Sequence, residues 1–348
     1  MKLIVQIPAL NERATIGAVI AEIPRTIPGI SRVEVLVIDD GCTDDTLLVA
    51  QRAGADHIVR HTANKGLAHA YQTGIDTALR LGADIIVNTD ADNQYPGSEI
   101  PGLIAPIVAG RADIVVGDRQ VQQLDHFSPL KKRLQHIGSS VVRWASETDV
   151  PDTVSGFRAL SREAALRTFV TTEFSYTVEA LIQAGKRRLT VIAVPIRTNY
   201  VDRPSRLHRG NWNFIKRQAA IIARTYTTYE PLKVFSYMAI VLFLPGILLL
   251  GRAVYVFIGR RVTDLTGDNL QALVVGGILL LMALLTFLIG LLADLVSGVR
   301  RIQQELLYRV RTMQVEDEAW RRLVAMRLTN LEETRQSEAE PEAELPST

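Results

Sequence analysis

The sequence predicts an α/β fold, with a Rossmann-like, mostly parallel sheet flanked by helices, joined to membrane-spanning helices. Three observations indicate this. Strand-like apolar runs alternate with helix-like segments in the N-terminal part, polar residues follow several of these runs, and two long apolar segments lie between residues 233 and 296. The 348 residues are enough for one large domain and a second, smaller part.

The N-terminal alternation can be followed element by element. Apolar runs typical of strands occupy residues 2–7, 33–38, 56–60, 83–89 and 113–117. Helix-like segments occupy residues 13–23, 43–53 and 67–79. Pro8 suits the end of the first strand, because proline cannot donate to a sheet ladder. Strands separated by helices of this length predict parallel pairing.

Composition excludes some classes of protein. The formal net charge of +2 gives no global attraction to nucleic acid, so we expect no nucleic-acid partner. The single cysteine, Cys42, precludes an internal disulfide and gives no sign of an oxidising compartment. Met1 and Lys2 lead directly into a strand-like run, so we expect no signal peptide.

Polar residues follow the first, second and fourth strand-like runs. The carboxyl ends of parallel strands meet at one edge of a sheet, where α/β proteins bind ligands. The repetition therefore predicts one polar crevice for a ligand that carries hydroxyls and phosphates. No G-x-G-x-x-G follows the first run and no Walker motif is present, which argues against dinucleotide redox chemistry and ordinary NTP hydrolysis. The polar residues are Asn11 and Glu12, Asp39 and Asp40, and Asp90 and Asp92.

The most informative of these groups is Asp90-Ala91-Asp92, with Gln94 two residues further on. Two carboxylates this close repel each other unless a cation neutralises them, and carboxylate and amide oxygens suit Mg²⁺ or Mn²⁺. We therefore predict a metal site formed by Asp90, Asp92 and Gln94. The alternative is a surface turn, because an Asp-x-Asp triplet also occurs by chance.

Several motifs, in order along the chain, resemble one known family. They are Ile7-Pro8-Ala9-Leu10-Asn11-Glu12, Asp39-Asp40-Gly41, Asn64-Lys65-Gly66, Asp90-Ala91-Asp92-x-Gln94, Asp118-Arg119, Arg133, Ser155-Gly156-Phe157-Arg158 and Arg203-Pro204-Ser205-Arg206. Over about residues 2–235 the chain resembles inverting GT-A glycosyltransferases of family 2, and more narrowly the polyprenyl-phosphate (dolichol-phosphate mannose synthase-like) branch. Cys42 departs from the pattern, since the family usually has serine there. We expect this thiol to pack or to donate weakly, and not to act in catalysis.

The resemblance implies a site for a nucleotide diphosphate sugar. Pro8, Glu12 and Asp39 would contact the base and ribose, and Asp40 would lie near the donor. Breaking the bond between sugar and diphosphate builds negative charge on the leaving phosphate, which the predicted metal would offset. From the residues alone, Glu12 could also be an ordinary first-turn helix residue, and the two aspartates a simple turn. The implied donor-binding residues are Pro8, Asn11, Glu12, Asp39, Asp40, Lys65, Gly66, Asp90, Ala91, Arg203 and Arg206.

The implied acceptor is a polyprenyl phosphate. A phosphate monoester has a second pKa near ~6 and is mostly dianionic at neutral pH, so it needs positive charge more than a general base. Arg119, Arg133 and Ser155 match the family's acceptor-phosphate residues, although Arg133 could also belong to a solvated basic face. Asp152 is a candidate base if one is required. The predicted catalytic residues are Asp92, Arg119, Arg133 and Asp152.

The character of the sequence changes after residue 210. Residues 211–232 carry apolar side chains at helical spacing beside Lys216 and Arg217, which predicts an amphipathic helix at the membrane interface; packing against the first domain is the alternative. Residues 233–297 predict a transmembrane hairpin with spans of about 234–258 and 271–295.

Charge predicts the orientation of this hairpin. Basic residues crowd before the first span and after the second, which indicates a multi-pass protein of the plasma (inner) membrane with its first domain and both termini in the cytoplasm. Residues 298–335 predict a cytoplasmic helix that either pairs between subunits of a homo-oligomer or lies back on the first domain. The acidic residues 336–348 predict a disordered tail.

We therefore expect an integral membrane, metal-dependent glycosyltransferase whose catalytic domain spans residues 1–210. It would transfer a single sugar, with inversion, from a UDP- or GDP-linked donor to undecaprenyl or dolichyl phosphate at the cytoplasmic face. One alternative is a processive family 2 polysaccharide synthase, but the Gln-x-x-Arg-Trp motif of that subgroup is approached only by residues 140–144, which lack the glutamine. Another is a non-catalytic nucleotide-sugar-binding scaffold, which would not need acceptor arginines.

Overall fold

The computed structural model describes residues 1–120, 129–170, 176–199, 219–220, 222–224, 226–262 and 270–339, without the side chains of residues 129–137, 260–262 and several residues from 319 onward. It divides into two compact units. The first unit comprises Met1–Leu207 and Leu306–Thr348, and the second comprises His208–Glu305.

The first unit is built on a mixed, mostly parallel sheet. Its strands are β1 (Lys2–Ala9), β2 (Arg32–Asp39), β3 (His57–Arg60), β4 (Ile85–Asn88), β5 (Ile114–Asp118), β6 (Arg158–Ser161) and β7 (Val191–Pro195). Within the described residues the strand order is β3-β2-β1-β4-β6-β5-β7. β6 runs antiparallel to β4 and β5, whereas the other neighbours pair in parallel. The predicted parallel sheet is therefore confirmed, with one reversed strand.

Helices cover both faces of this sheet. They are α1 (Ile16–Glu22), α2 (Thr46–Arg52), α3 (Leu67–Arg80), α4 (Ile100–Val108), α5 (Pro129–Ser146), α6 (Arg162–Arg167) and α7 (Tyr176–Lys186). Leu3, Val5 and Ile7 of β1 pack in the same buried cluster as residues of α1 and α4. Side chains alternate along a strand, so Gln6 points to the other face, where its Nε2 lies 3.4 Å from the Tyr71 carbonyl of α3. Coverage on both sides explains why the strands read as continuous apolar runs.

Some element boundaries differ from the prediction. Pro8 does not end the first strand, since β1 continues to Ala9 and Pro8 pairs with Ile38. The missing N–H of proline is tolerated because the sheet here is close to its end. The helix expected over residues 13–23 begins at Ile16, and the one expected over 43–53 begins at Thr46. The sequence reasoning did not identify β6 or β7.

The second unit contains long apolar helices. α8 spans Pro231–Val262 and α9 spans Leu270–Ala339, of which the residues from Leu306 onward belong to the first unit. Two segments are long and apolar enough to cross a membrane, Pro231–Gly259 with a mean hydropathy of 2.3 and Leu270–Glu318 with 2.8, and only 11% of each span's most apolar stretch is buried. The two predicted spans lie inside these segments, which confirms two apolar helices of membrane-spanning length at the predicted positions. The predicted interfacial helix over residues 211–232 falls mainly outside the described residues.

Glycines bring the two apolar helices into close contact within the second unit. A Cβ added at Gly276 would lie 3.1 Å from both the Gly246 carbonyl oxygen and the Leu250 nitrogen. A Cβ at Gly290 would lie 2.5 Å from Phe235 Cβ. Small residues allow such a close approach. In lipid, where apolar burial does not drive helix association, these packing contacts would stabilise the helix pair.

The C-terminal segment was predicted as a separate helix over residues 298–335. Instead it continues α9, which ends at Ala339 and thus covers the first residues of the tail expected over 336–348; residues 340–348 lie outside the described part. Within the first unit, Arg311 Nη2 lies 2.7 Å from Asp76 Oδ1 of α3, and Tyr308 Oη donates to Glu163 Oε2 of α6 at 3.0 Å. Of the two predicted alternatives, this part of the helix lies against the domain.

Candidate active site

The carboxyl ends of β1, β2 and β4 lie side by side at one edge of the sheet in the first unit, because these strands pair in parallel. β1 pairs with β2 on one side and with β4 on the other. Thr15, just before α1, bridges the loops: its hydroxyl donates to the Ala91 carbonyl at 2.6 Å and lies 3.2 Å from Glu12 Oε2. Sequence reasoning did not assign Thr15 to the site. The Thr15 hydroxyl therefore holds Glu12 beside the segment that carries Asp90 and Asp92.

Asp39 is completely buried at the end of β2. Its Oδ1 accepts a hydrogen bond from the Cys42 amide at 2.6 Å, and Oδ2 lies 3.1 Å from Arg60 Nε. The geometry of the Arg60 contact is not that of a hydrogen bond, so Oδ2 is a buried acceptor without a hydrogen-bond partner in the described part of the chain. Such an oxygen is expensive to bury unless a ligand or a small movement satisfies it.

Asp40 has both carboxylate oxygens occupied. Oδ1 lies 2.8 Å from His61 Nδ1 and accepts from the Lys65 amide at 2.9 Å, and Oδ2 accepts from the Gly66 amide at 2.9 Å. The exposed fraction of Asp40 is 4%. The carboxylate therefore holds the turn that precedes α3 and presents Lys65, whose side chain is exposed.

The turn after Asp40 requires glycine. Gly41 has a φ of +82°, and a Cβ at this position would lie 2.7 Å from the Asn64 nitrogen. A side chain would separate the two loops, since this φ is unfavourable for other residues and the backbone leaves no space. The sequence Asp40-Gly41 thus brings the end of β2 against Asn64.

Cys42 is buried behind this turn. Its Sγ accepts a hydrogen bond from the Asn11 amide at 3.2 Å, and Asn11 Oδ1 accepts from the Thr43 amide at 2.8 Å. Burial, followed by the nearby Asp39, raises the pKa of the Cys42 thiol to about 11. A protonated, enclosed thiol is a packing group, as expected from the sequence.

Asp90 and Asp92 follow β4, and Asp90 has a strongly raised pKa. Burial, then the neighbouring Asp92 and Glu12, raises the pKa of Asp90 to about 7, against the opposing effect of Arg119 and Arg158. Asp92 Oδ1 accepts a hydrogen bond from the Gln94 amide at 3.0 Å across a turn in which Asn93 has a φ of +60°. The turn keeps Asp92 and Gln94 on the same short loop as Asp90.

These residues fit a divalent cation. No hydrogen bond from a described residue reaches the Asp90 carboxylate, which is nevertheless half-buried and close enough to Asp92 for its proton affinity to rise. In the described part of the chain, no group of three or more His, Cys, Asp or Glu residues could hold a metal by itself. Two carboxylates and one amide suit Mg²⁺ or Mn²⁺ that takes its other ligands from substrate phosphates and water.

Arg119 and Asp152 form a bidentate ion pair, and Arg119 also interacts electrostatically with Asp90. Arg119 Nε donates to Asp152 Oδ2 at 2.6 Å, and Nη2 donates to Oδ1 at 3.0 Å. Burial opposes the charge of Arg119, but Tyr95, Asp152 and Asp90 raise its pKa, so it is permanently cationic. With 14% of its side chain exposed, Arg119 is oriented by Asp152 and still open to an anion.

The loop before β6 contacts Asp90. A Cβ on Gly156 would lie 3.0 Å from both carboxylate oxygens of Asp90, so this glycine touches the acid directly. Ser155 is fully buried, which leaves its hydroxyl without an exposed surface for a phosphate in this conformation. Glycine at position 156 is thus required by contact, a role that its place in the Ser155–Arg158 motif did not reveal.

Three predicted site residues cannot be placed. Arg203 and Arg206 lie outside the described residues. Arg133 lies in α5, but its side chain is outside the described part. The remaining predicted residues are brought together around the ends of β1, β2 and β4, with Arg119 and Asp152 following β5 and preceding β6.

Comparison with known proteins identifies the family. Residues 4–169 match the family model described as glycosyl transferase family 2. The chain is 29% identical over 218 residues to the UDP-N-acetylglucosamine–dolichyl-phosphate N-acetylglucosaminyltransferase of Methanococcus voltae, covering 56% of this chain and 85% of that protein. It is 34% identical over 170 residues to the dolichol-phosphate mannosyltransferase of Pyrococcus furiosus, covering 47% of each chain.

A solved structure gives the same fold. Glucosyl-3-phosphoglycerate synthase from Mycobacterium tuberculosis, crystallised with Mn²⁺, UDP and phosphoglyceric acid, matches with a TM-score of 0.51 and 22% identity, over 65% of this chain and 77% of that one. This likeness supports the GT-A form of the α/β fold. An uncharacterized glycosyltransferase of Mycobacterium bovis is 30% identical over 197 residues, covering 55% of this chain and 83% of that protein. With the family-model match over residues 4–169, this shows that the chain belongs to glycosyl transferase family 2.

Proposed function

We propose that this glycosyltransferase moves a single sugar from a UDP- or GDP-linked donor to a polyprenyl phosphate, undecaprenyl or dolichyl phosphate, at the cytoplasmic membrane face. The observation that carries the proposal is the juxtaposition of Asp90, whose pKa is raised to about 7, with the oriented cation Arg119. Relatives named for polyprenyl-phosphate acceptors and two apolar helices support it.

The donor side would use the crevice between β1 and β2. Pro8, Asn11 and Glu12 follow one strand, and the buried Oδ2 of Asp39 supplies an acceptor for a ribose hydroxyl or a base N–H. We assign Asp40 to holding the turn with Lys65 and Gly66, since its own oxygens are occupied. Ala91 would line the diphosphate side, and Arg203 and Arg206, by resemblance alone, would close over the diphosphate.

Asp90, Asp92 and Gln94 would hold Mg²⁺ or Mn²⁺, which offsets the charge that develops on the leaving diphosphate. The chain's own residues arrange the rest of the reaction. Arg119, with Arg133, would bind the lipid phosphate and bring it close to a diphosphate that repels it. One phosphate oxygen then attacks the anomeric carbon on the face opposite the diphosphate, so the configuration inverts as the sugar–diphosphate bond breaks.

Asp152 is better placed to orient Arg119 than to accept a proton. Both of its oxygens accept hydrogen bonds from the guanidinium, and its side chain is only 2% exposed. The acceptor arrives already ionised, so the reaction needs no base. A carboxylate paired in this way gives geometry to the cation, which is the main contribution required when the nucleophile is preformed.

The membrane part would anchor this site next to its lipid substrate. We propose the arrangement expected from the sequence: a catalytic domain of residues 1–210, an interfacial helix over 211–232, a hairpin over 233–297 and a C-terminal segment, with both termini cytoplasmic. A cytoplasmic site agrees with a cytosolic nucleotide sugar.

The test is transfer by the purified protein in detergent. UDP- and GDP-linked sugars are supplied one at a time with Mn²⁺ and a short polyprenyl phosphate, and the masses of the lipid products are determined by mass spectrometry. The expected product is the acceptor plus one hexose or one N-acetylhexosamine. A growing polymer would identify a processive synthase instead, and binding of nucleotide sugars without any transfer would identify a scaffold.

A further inference from the structure

A chain of buried polar side chains lies beneath Asp90. Gln6 Nε2 donates to Asn88 Oδ1 at 2.9 Å, and Asn88 Nδ2 donates both to the Gly156 carbonyl and to Tyr176 Oη, each at 2.8 Å. Tyr176 Oη in turn lies 3.2 Å from the Gly156 carbonyl and donates to it. Gln6, Asn88 and Tyr176 are at most 1% exposed.

In this network of buried side chains, the donors and acceptors of the hydrogen bonds are mutually consistent. Asn88 uses both amide hydrogens, Tyr176 accepts one hydrogen bond and donates one, and the Gly156 carbonyl accepts two. A connected polar network in the interior specifies one arrangement, because any displacement leaves a buried group unpaired. The group that all these bonds fix is the peptide of Gly156.

Gly156 is also the residue in contact with Asp90. A Cβ at this glycine would be 3.0 Å from either oxygen of the Asp90 carboxylate and 3.1 Å from Tyr176 Oη. The peptide held by Asn88 and Tyr176 is therefore the surface against which the Asp90 carboxylate rests. No hydrogen bond from a described residue holds that carboxylate, so contact with Gly156 limits where it can point.

Arg158 fixes the rest of the same loop from below. Its guanidinium donates to the carbonyls of Ser155 at 2.9 Å, Thr153 at 2.9 Å and Thr177 at 2.7 Å. Thr177 follows Tyr176 in α7, so the same cation joins the loop to the start of that helix. The position of Tyr176 relative to Gly156 is thus determined twice.

We propose that Tyr176 and Asn88 are positioning residues for Asp90, acting through the Gly156 peptide. The inference rests on the proposed function, in which Asp90 holds the divalent cation. Neither side chain would touch substrate or metal. Their effect is to keep the carboxylate aimed into the crevice, so that cation binding does not first have to order it.

The structure supplies a matched control for this proposal. The Tyr71 ring stacks on the Tyr176 ring with centroids 3.7 Å apart and 8° between the planes. Its hydroxyl is equally buried but has no hydrogen-bond partner in the described part of the chain. Tyr176→Phe removes a hydroxyl that holds Gly156, and Tyr71→Phe removes a neighbouring hydroxyl that holds nothing.

Two readouts test the pair of variants at a temperature well below both melting points. The first is Mn²⁺ binding, followed by electron paramagnetic resonance with UDP and with GDP in parallel, which requires no turnover. The second is kcat together with the Mn²⁺ concentration that gives the half-maximal rate. Tyr176→Phe is expected to weaken Mn²⁺ binding and to lower kcat by about tenfold, and Tyr71→Phe to change neither beyond about twofold.

The outcomes separate the inference from the proposed function. Equal effects of the two variants, or normal Mn²⁺ binding in Tyr176→Phe, would overturn the inference, as would a wild-type protein that binds no Mn²⁺ with either nucleotide. A wild-type protein that binds Mn²⁺ but glycosylates no lipid phosphate would overturn the proposed function, while the binding readout would still decide the inference.

A second pair of variants covers the case in which Tyr176→Phe does not fold. Gly156→Ala places a methyl group against the Asp90 carboxylate, whereas Gly102→Ala in α4 meets nothing within 4 Å. Gly156→Ala is expected to weaken Mn²⁺ binding about tenfold, and Gly102→Ala to leave it unchanged. Unchanged Mn²⁺ binding in Gly156→Ala would mean that this peptide does not position Asp90, and would overturn the inference.

Discussion

Asp40 and Asp90 occupy equivalent places on opposite sides of β1, yet their surroundings differ completely. Asp40 follows β2 and has both oxygens bonded to His61 and to the amides of Lys65 and Gly66. Asp90 follows β4, receives no hydrogen bond from a described residue, and has a pKa raised to about 7 by burial and by Asp92 and Glu12. A carboxylate whose oxygens all accept hydrogen bonds stabilises the loops around it. A half-buried carboxylate that accepts none is available to bind a cation.

This contrast is invisible in the sequence. Both aspartates belong to acidic pairs that follow an apolar strand, and both match motifs of the same family. What separates them is whether a loop distant in sequence returns to donate its amides. For Asp40 the loop of residues 64–66 does so, whereas for Asp90 the approaching loop presents the Cα of Gly156.

The largest loss of transfer activity is expected from Asp92→Asn. It removes one of the two charges that we assign to the cation while keeping the size of the side chain. Transfer is expected to fall by about a hundredfold or more, with the melting temperature nearly unchanged. Activity is measured by lipid glycosylation, with Asp149→Asn, 98% exposed at its side chain, as the control. Near-normal turnover of Asp92→Asn would remove the metal from the mechanism.

Asp152→Asn extends the comparison to a third carboxylate, both of whose oxygens accept hydrogen bonds from Arg119. If Asp152 orients Arg119, the asparagine still accepts one hydrogen bond, and kcat/KM for the lipid phosphate should fall by about tenfold, more than that for the donor. The shape of the pH–rate profile should stay the same. Disappearance of the acid limb of that profile, with a loss of several orders of magnitude, would instead identify Asp152 as a general base.

The pH dependence of stability should report the raised pKa of Asp90, whose carboxylate accepts no hydrogen bond from a described residue. Because its pKa in the folded protein, about 7, lies above the ordinary value of 3.8, folding favours the protonated acid. This contribution is complete below pH 4 and is lost as pH rises through 7, and it amounts to at most about 4 kcal/mol. In EDTA the melting temperature of the wild-type protein should therefore fall between about pH 5 and 8 relative to that of Asp90→Asn.

Mn²⁺ should abolish this difference in slope, since a bound cation favours the ionised form. Glu34 and Asp56, whose pKa values are lowered on balance by hydrogen bonds and cations despite burial, lose their stabilising effect only as pH falls through about 4 and below. Their titration does not overlap with the window assigned to Asp90. Parallel pH curves for the wild-type protein and Asp90→Asn in EDTA would contradict the assignment.

The smallest effect on chemistry, and a visible one on stability, is expected from Asp40→Asn. The amide group would place N–H donors against the amides of Lys65 or Gly66, so one hydrogen bond would be replaced by repulsion. The free energy of unfolding should drop by about 1–3 kcal/mol, measured by urea denaturation of the detergent-solubilised protein. Once folded, the variant should keep its Mn²⁺ dependence. A lost Mn²⁺ response would place Asp40 among the metal ligands and erase the contrast with Asp90.

Sequence reasoning reached the parts of the molecule that depend on local pattern. The strands β1 to β5, the acids at their ends and the two apolar helices each leave a periodic or compositional signal within a short window. The pairing of Arg119 with Asp152 leaves no such signal, because the two residues are separated by 33 positions and only the reversed strand β6 brings them together.

Two misjudged regions show why local signals fail. β6 was not identified because it has four residues and begins with an arginine, a weak strand signal, yet Arg158 is 1% exposed because three carbonyls accept its hydrogen bonds. The basic residues after the second span favour the end of a membrane helix and a separate helix from residue 298. Charge marks where a helix meets water, but it does not interrupt its hydrogen bonds, so α9 continues.

The contacts of Arg311 have a practical consequence for making a soluble fragment. Its guanidinium donates to Asp76 and, at 2.7 Å, to the Thr168 carbonyl, and lies 5.2 Å from the centre of the Phe169 ring. A polypeptide cut at residue 210 would lose that cation and leave these groups uncovered. The shortest autonomous version of the enzyme should therefore join residues 1–207 to a segment that begins at Leu306, so the ends of the chain cooperate in one folding unit.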